Sequence, residues 1–335
     1  MKTCKSINCR RALVFLAAFT AGGMAQPSFA AFAGADKGTS AAQFLKLGAG
    51  ARAEGMGEAY SAVCSGADAV YWNPGALSGL DGVAGTFTHA DLFGALNYEY
   101  SGFAKSFKRF GAVGLGLQYL SAGRIPETDA GGFETGTDMN PVQLAAALAY
   151  SRKIGGFGIG AAAKYIRSRL AETVSTLAAD AGILSPGLID NKLRLAFVVQ
   201  NAGGGLKYSR TSDPLPLNLK LGGAFSFSDK IIFDIDFNFP RDNRPYAGAG
   251  GEYVFDYSGV SFAGRLGYNT RSSGDIDGLA GISTGLGVAF NSLSLDYAFV
   301  PFGSLGNAHR ISLNFRFGNK TAAVSAVKRR YLTPP

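Results

Sequence analysis

Residues able to form covalent intermediates are few in this chain. Gly281-Ile282-Ser283-Thr284-Gly285 matches the glycine-x-serine-x-glycine elbow of serine hydrolases, in which a strand-to-helix turn projects the serine oxygen toward a histidine base. Here the run lies in a glycine-rich stretch of strand character, and no helix is expected after it. The two histidines, His89 and His309, stand in no sequence relation to Ser283 that marks a catalytic pair, and His309 begins the last expected strand. A wall-mounted hydrolase using Ser283 is the enzymatic alternative; the reading adopted is a non-enzyme. Single His and Cys residues far apart give no metal-ligand cluster. Asp275-Ile276-Asp277 and the carboxylates between Asp129 and Asp138 lie in polar loops, where solvated side chains are the default and weak calcium binding the alternative. Gly48-Ala49-Gly50 has no buried strand before it and no βαβ unit after it, so it is no dinucleotide loop. No catalytic residue, metal ligand or cofactor is assigned.

The more informative polar residues are charges set singly between apolar ones. Glu99, Gln118, Lys164, Arg194, Lys220, Asp234, Asp236, Asp296 and Arg316 each fall on what reads as the wet face of a strand. Their mixed signs point to an ion-paired interior rather than a strongly selective pore. Burying such charges without partners is costly, so they are expected to pair with one another or with a plug.

The elements that position them are short and periodic. Fourteen segments between Gly82 and Phe317 alternate apolar and polar residues. Ile231–Phe239 and Ile311–Phe317 are the clearest: Phe233, Ile235 and Phe237 share one face, and Asp234, Asp236 and Asn238 share the other. Val113–Tyr119, Leu193–Val199, Leu217–Phe227 and Leu293–Phe299 follow the same period. Stretches near Leu144, Ala161 and Gly248 are rich in Gly and Ala and count as strands through their spacing. A shift of one residue would turn every apolar side chain to the wrong face, so the pattern sets register.

Connections alternate as well. Tight ones are expected near Lys108-Arg109, Ile154-Gly155, Ser228–Lys230, Asp256–Ser258 and Asn291-Ser292, with a medium one at Pro186–Asn191. Long ones are expected at Ala122–Asn140, Asn201–Leu215, Pro240–Pro245, Arg271–Asp277 and Pro301–Ala308. Short turns on one side and longer loops on the other are the mark of an outer-membrane barrel, with an even strand count and both termini periplasmic. The fold class is therefore all-β: a fourteen-stranded antiparallel transmembrane barrel with a short N-terminal plug.

Composition agrees. Hydrophobic residues make up 47% of the chain and charged ones 17%, against roughly 25% charged in soluble domains. No run beyond the N-terminus reaches the roughly 18 apolar residues of a membrane helix. Residues 1–30 read as a secretory leader: Lys2, Lys5, Arg10 and Arg11 precede an apolar stretch, with small-residue cleavage patterns near 30–33. Removing these four basic residues from the net charge of +8 leaves +4, which does not indicate nucleic-acid binding. Cys4 and Cys9 go with the leader, leaving Cys64 alone. Residues 34–80 read as a lumen plug or periplasmic cap, 82–317 as the barrel and 318–335 as a periplasmic tail carrying Lys328-Arg329-Arg330. Within the plug, Asn73 is placed to cap a short helix that starts at Pro74.

Gly38–Leu77 resembles the N-terminus of PorV/PorQ-family outer-membrane proteins, relatives of the FadL long-chain fatty-acid transporters. The matching residues are Leu47-Gly48, Ala51-Arg52, Gly55-Met56-Gly57, Ala59, and Asp68 through Asn73-Pro74. The family continues with Ala where this chain has Gly75. The resemblance implies Arg52, Gly55, Gly57, Asp68, Asn73 and Pro74 as plug motif residues. It implies a role in type IX protein secretion as a barrel component or cargo shuttle. Partners would be outer-membrane lipid, secreted proteins with C-terminal sorting domains, and secretion-machinery subunits. The alternative it carries is a FadL-like passive channel for hydrophobic small molecules.

Overall fold

The computed structural model describes residues 37–107, 109–170, 172–208, 210–271 and 279–318. The expected leader with Cys4 and Cys9, the Asp275-Ile276-Asp277 segment and the tail beyond Gly318 lie outside the described residues. The strands are β1 (Val83–Leu92), β2 (Leu96–Phe107), β3 (Gly111–Ser121), β4 (Ile125–Thr128), β5 (Glu134–Met139), β6 (Val142–Ile154), β7 (Phe157–Arg169) and β8 (Thr173–Leu184). They continue with β9 (Leu193–Gly203), β10 (Asn218–Ser226), β11 (Ile231–Pro240), β12 (Tyr246–Tyr257), β13 (Val260–Asn269), β14 (Ile282–Phe290), β15 (Leu293–Pro301) and β16 (Asn307–Phe317).

All but β4 and β5 close into one antiparallel barrel of 14 strands, with β1 hydrogen-bonded to both β2 and β16. Val83 lies opposite Phe317 and Leu92 opposite Ala308 at the closing seam. Closure removes every open edge, which a backbone in hydrocarbon requires. The alternation becomes two surfaces. Phe233, Ile235 and Phe237 of β11 are exposed on the outside, while Asp234, Asp236 and Asn238 are buried within. The Gly/Ala-rich stretches near Leu144, Ala161 and Gly248 are full strands, β6, β7 and β12. Their small inward residues leave room for the plug.

The two rims differ. At one, Gly155-Gly156 joins β6 to β7 with φ of 57° and 88°, the paired positive values that a two-residue hairpin turn needs. Ser258-Gly259 and Asn291-Ser292 make similarly short turns. The opposite rim carries the long connections after β3, β9, β11, β13 and β15, but also the three-residue links Phe93–Ala95 and 170–172. These ends are called the turn end and the loop end below. The connection expected as a plain loop at Ala122–Asn140 contains the β4–β5 ribbon. Its bend is held by the Asp129 carboxylate, which accepts the amides of Gly131 and Phe133 at 2.8 and 3.0 Å.

The lumen is filled by residues 40–80, which run as short helical pieces of one or two turns: Gln43–Lys46, Ala51–Glu54, Gly66–Asp68, Ala69–Trp72 and Pro74–Gly79. No apolar repeat sustains a longer helix, so packing against the wall fixes the segment. Trp72, Tyr60, Met56, Val70 and Leu77 are fully buried, and Tyr98 and Tyr100 join them from β2.

Candidate functional site

The motif residues of the plug bind it to the inside of the wall. Arg52 donates from Nε and a terminal nitrogen to both oxygens of Glu252 on β12, each at 2.8 Å, and its other nitrogen reaches the Tyr60 hydroxyl at 3.1 Å. Glu252 also accepts from Arg265 of β13 at 2.6 Å, and Arg265 pairs with Asp296 of β15 at 2.8 Å. Asn314 of β16 donates to Asp296 at 2.8 Å, and Thr86 of β1 donates to Asn314 at 2.7 Å. One continuous polar chain thus links the plug to five strands. Its charges alternate in sign, so each buried ion has a counter-ion within contact distance.

Gly57 and Gly75 are where the plug backbone meets the wall backbone. Gly57 has φ of 66°, and a Cβ there would lie 2.6 Å from the Tyr268 nitrogen and 2.8 Å from the Ala249 oxygen. Its N–H donates to Ser283 at 3.1 Å, and its carbonyl accepts from Asn269 at 3.0 Å. Gly55 packs on Gly285. Across the lumen, a Cβ on Gly75 would lie 2.6 Å from the carbonyl oxygens of both Gly158 and Gly182. Gly75 thus lets the plug sit directly on β7 and β8. Asn73 accepts the Gly75 amide at 3.0 Å and donates to the Ser61 carbonyl at 3.0 Å, capping the turn that Pro74 begins. Asp68 is buried beside Gly50.

Of the charges expected inside, Lys164, Arg194, Lys220, Asp234, Asp236, Asp296 and Arg316 lie on inward-facing positions. Asp236 accepts the amide and hydroxyl of Ser61 at 3.1 and 2.6 Å. The Lys220 ammonium lies 4.4 Å from the centre of the Trp72 ring, a cation–π contact that suits a desolvated lysine. Lys164 pairs with Asp180 at 2.6 Å and donates to Asn201 at 2.9 Å. The Arg316 guanidinium lies beside Gly66, and Gln118 reaches the Leu47 carbonyl at 3.3 Å.

Glu99 is the correction. It lies on the outer face, paired with His89 at 2.6 Å. In β2 the aromatics Tyr98 and Tyr100 turn inward to the plug, where Tyr100 meets Tyr71 edge-on with centroids 6.3 Å apart. The polar residues between them must face out. His309 also faces out, hydrogen-bonded to Tyr297 at 2.9 Å. Ser283 faces in, on the opposite face of the wall from both histidines, and its hydroxyl anchors Gly57. Sequence reading missed Asp180, Glu252, Arg265 and Arg310. The signal for Glu252 and Arg265 is the same two-residue period, hidden by the glycines around them.

At the loop end, a vestibule of about 370 Å³ opens above the plug. One side is apolar, with Leu92, Phe93, Val300 and Phe302; the other is charged, with Lys46, Glu58, Asp242 and Arg271. Arg271 holds Glu58 at 2.7 Å, and Asp242 accepts from Gln43 at 2.8 Å and Lys46 at 2.6 Å. Burial alone would raise the Asp242 carboxyl, but those hydrogen bonds and the Lys46 charge outweigh it and hold the group below its usual range.

The family model described as "Type IX secretion system protein PorV" matches residues 33–239. A comparison with curated protein sequences finds no match. Among solved structures, the chain is similar to the Pseudomonas putida toluene transporter TodX, with a TM-score of 0.53 and 14% identity over 80% of this chain and 96% of that one. It is also similar to the monoaromatic hydrocarbon channel CymD, at TM-score 0.52 and 13% identity over 82% and 98% of the two chains. A Pseudomonas aeruginosa FadL homologue follows at TM-score 0.51 and 11% identity, covering 80% and 98%. At these identities the likeness is one of fold.

Proposed function

Because the chain belongs to the PorV family of type IX secretion system proteins, we propose that this outer-membrane barrel handles secreted proteins at its outer rim rather than passing them through its lumen. Short turns face the periplasm and the loop end faces the exterior, following the general asymmetry of such barrels. The observation that carries the proposal is the chain from Arg52 through Glu252, Arg265, Asp296 and Asn314 to Thr86. Breaking a buried, fully paired network of this kind is costly, so the plug is a fixed part of the barrel. The vestibule above it then serves as the receptor surface. Its apolar side and its charged side offer an exported protein both hydrophobic and ionic contacts.

The test is a deletion strain complemented with wild type or with a variant whose apolar vestibule flank is made charged, Phe93→Asp/Phe302→Asp. Loss of surface anchoring in the deletion strain, restored by wild type but not by the variant, is the expected outcome. Normal anchoring in the deletion strain would refute the secretion role.

A second reading is favoured by the same apolar flank, Leu92, Phe93, Val300 and Phe302, and by a fold shared with hydrocarbon transporters: passive passage of hydrophobic small molecules. It requires the plug to open. Toluene uptake into intact cells that falls on deletion, with surface anchoring untouched, would replace the first reading with this one.

A further inference from the structure

One concavity lies outside the lumen. A groove of about 830 Å³ crosses the outer side of β2, β3, β6, β7 and β8 at mid-height, within the size range of small-molecule sites. Its floor is small, with Ser101, Ala146, Ala163 and Ala179 facing out, and its sides include Phe103 and Leu177. The wall beneath is continuous: β2 pairs with β3, and β3 with β6, without a break in register. The groove is therefore a dent and not a gate.

The dent is built. At one end, the pairing of β8 with β9 shifts between Ala179 and Ala181, and Asn201 takes φ of 60°. An extra residue in one strand bends the sheet locally. Behind the bend, Asp180 accepts the Asn201 amide at 2.7 Å and pairs with Lys164 at 2.6 Å. These buried groups hold the wall in the shape that the groove requires.

Above the groove, toward the loop end, polar side chains join the outer surface. The next outward row pairs Tyr119 with Leu144, Leu144 with Arg167, and Arg167 with Ser175. Arg169 and Thr173 stand one step higher. Arg169 donates to the Asn140 carbonyl at 3.3 Å, and neither arginine is ion-paired to a carboxylate among the described residues. Two guanidiniums and two hydroxyls thus stand one and two rows above an apolar trough, on its loop-end side. Arginine forks match phosphate oxygens.

We propose that this groove is a specific site for a phosphorylated, multiply acylated glycolipid of the outer leaflet. Its acyl chains fill the trough, and its phosphate lies on Arg167 and Arg169 with Ser175 and Thr173. From the proposed function it takes only the orientation of the loop end; it does not depend on what the vestibule binds.

The test is native mass spectrometry of the full chain extracted from outer membranes in mild detergent. Wild type is expected to retain one phosphorylated glycolipid per barrel. Ala163→Trp/Ala179→Trp, which fills the trough from lipid-facing positions, should lose it. Arg167→Gln/Arg169→Gln, which removes both charge-assisted contacts, should retain it at least about tenfold less. Heat-modified gel mobility reports that each barrel is folded, and surface anchoring is scored separately. A wild-type barrel free of lipid, one carrying glycerophospholipid instead, or a filled variant that keeps the glycolipid would each overturn the proposal.

Discussion

Glu252 is the residue on which the plug's attachment converges, since it accepts from Arg52 and Arg265 at once. Replacing it with Ala leaves two guanidiniums in a buried site facing each other. Removal of one partner from a buried pair costs about 3–5 kcal/mol, and here a second cation adds repulsion. The expected outcome for Glu252→Ala is a barrel that unfolds at clearly lower denaturant, read from heat-modified gel mobility. An unchanged midpoint would mean that the network does not hold the plug. Arg52→Lys is a finer probe, because a lysine cannot reproduce the two-pronged contact. It should fall between wild type and Glu252→Ala in the same assay.

Among the elements, the plug is the least autonomous. Its helical turns are too short to persist alone, and each is seated by the wall. Ser312 accepts the Ala51 amide at 2.7 Å, Arg310 donates to the Gly48 carbonyl at 2.6 Å, and Gln200 donates to the Tyr71 carbonyl at 2.8 Å. Gly57 is the tightest of these contacts that also needs a left-handed backbone. Gly57→Ala should cost about 1–3 kcal/mol through backbone strain, and more if β13 cannot shift. Limited proteolysis should then cut between residues 43 and 80, where wild type is protected. Equal protection in the variant would show that the wall gives way.

For the whole molecule, the two ends differ in build: tight turns at one and longer connections at the other. Ser304 lies in the exposed connection after β15 at the loop end, and Asp229 in the turn between β10 and β11. Cys64 is buried and should not react in the folded barrel. A membrane-impermeant maleimide applied to intact cells is expected to label Ser304→Cys and to spare Asp229→Cys. The reverse pattern would invert the barrel and remove the basis for an external vestibule. The outer surface is not uniform either, for the groove and the arginines above it occupy one side only.

Much of this was determined by the sequence. A two-residue period dictates which side chains can face lipid, because successive side chains of a strand point to opposite faces; Asp234 and Asp236 between Phe233, Ile235 and Phe237 had only one place to go. Strand number followed from the turn residues between the periods, and Asn73-Pro74 announced its own capped turn. Glu99 shows where that logic ends. The loop-end part of its strand is amphipathic in the inverted sense, and the preference of Tyr98 and Tyr100 for the plug's aromatic core outweighs the usual placement of charge. The β4–β5 ribbon rests on an Asp129 turn that no periodicity marks. Pairings belong to the tertiary structure alone: Arg52 meets Glu252 across 200 positions of sequence, and Lys164, Asp180 and Asn201 meet because β7, β8 and β9 are neighbours in a closed sheet. Period is a local property that each segment carries by itself, whereas a partner is chosen only when the barrel closes around its plug.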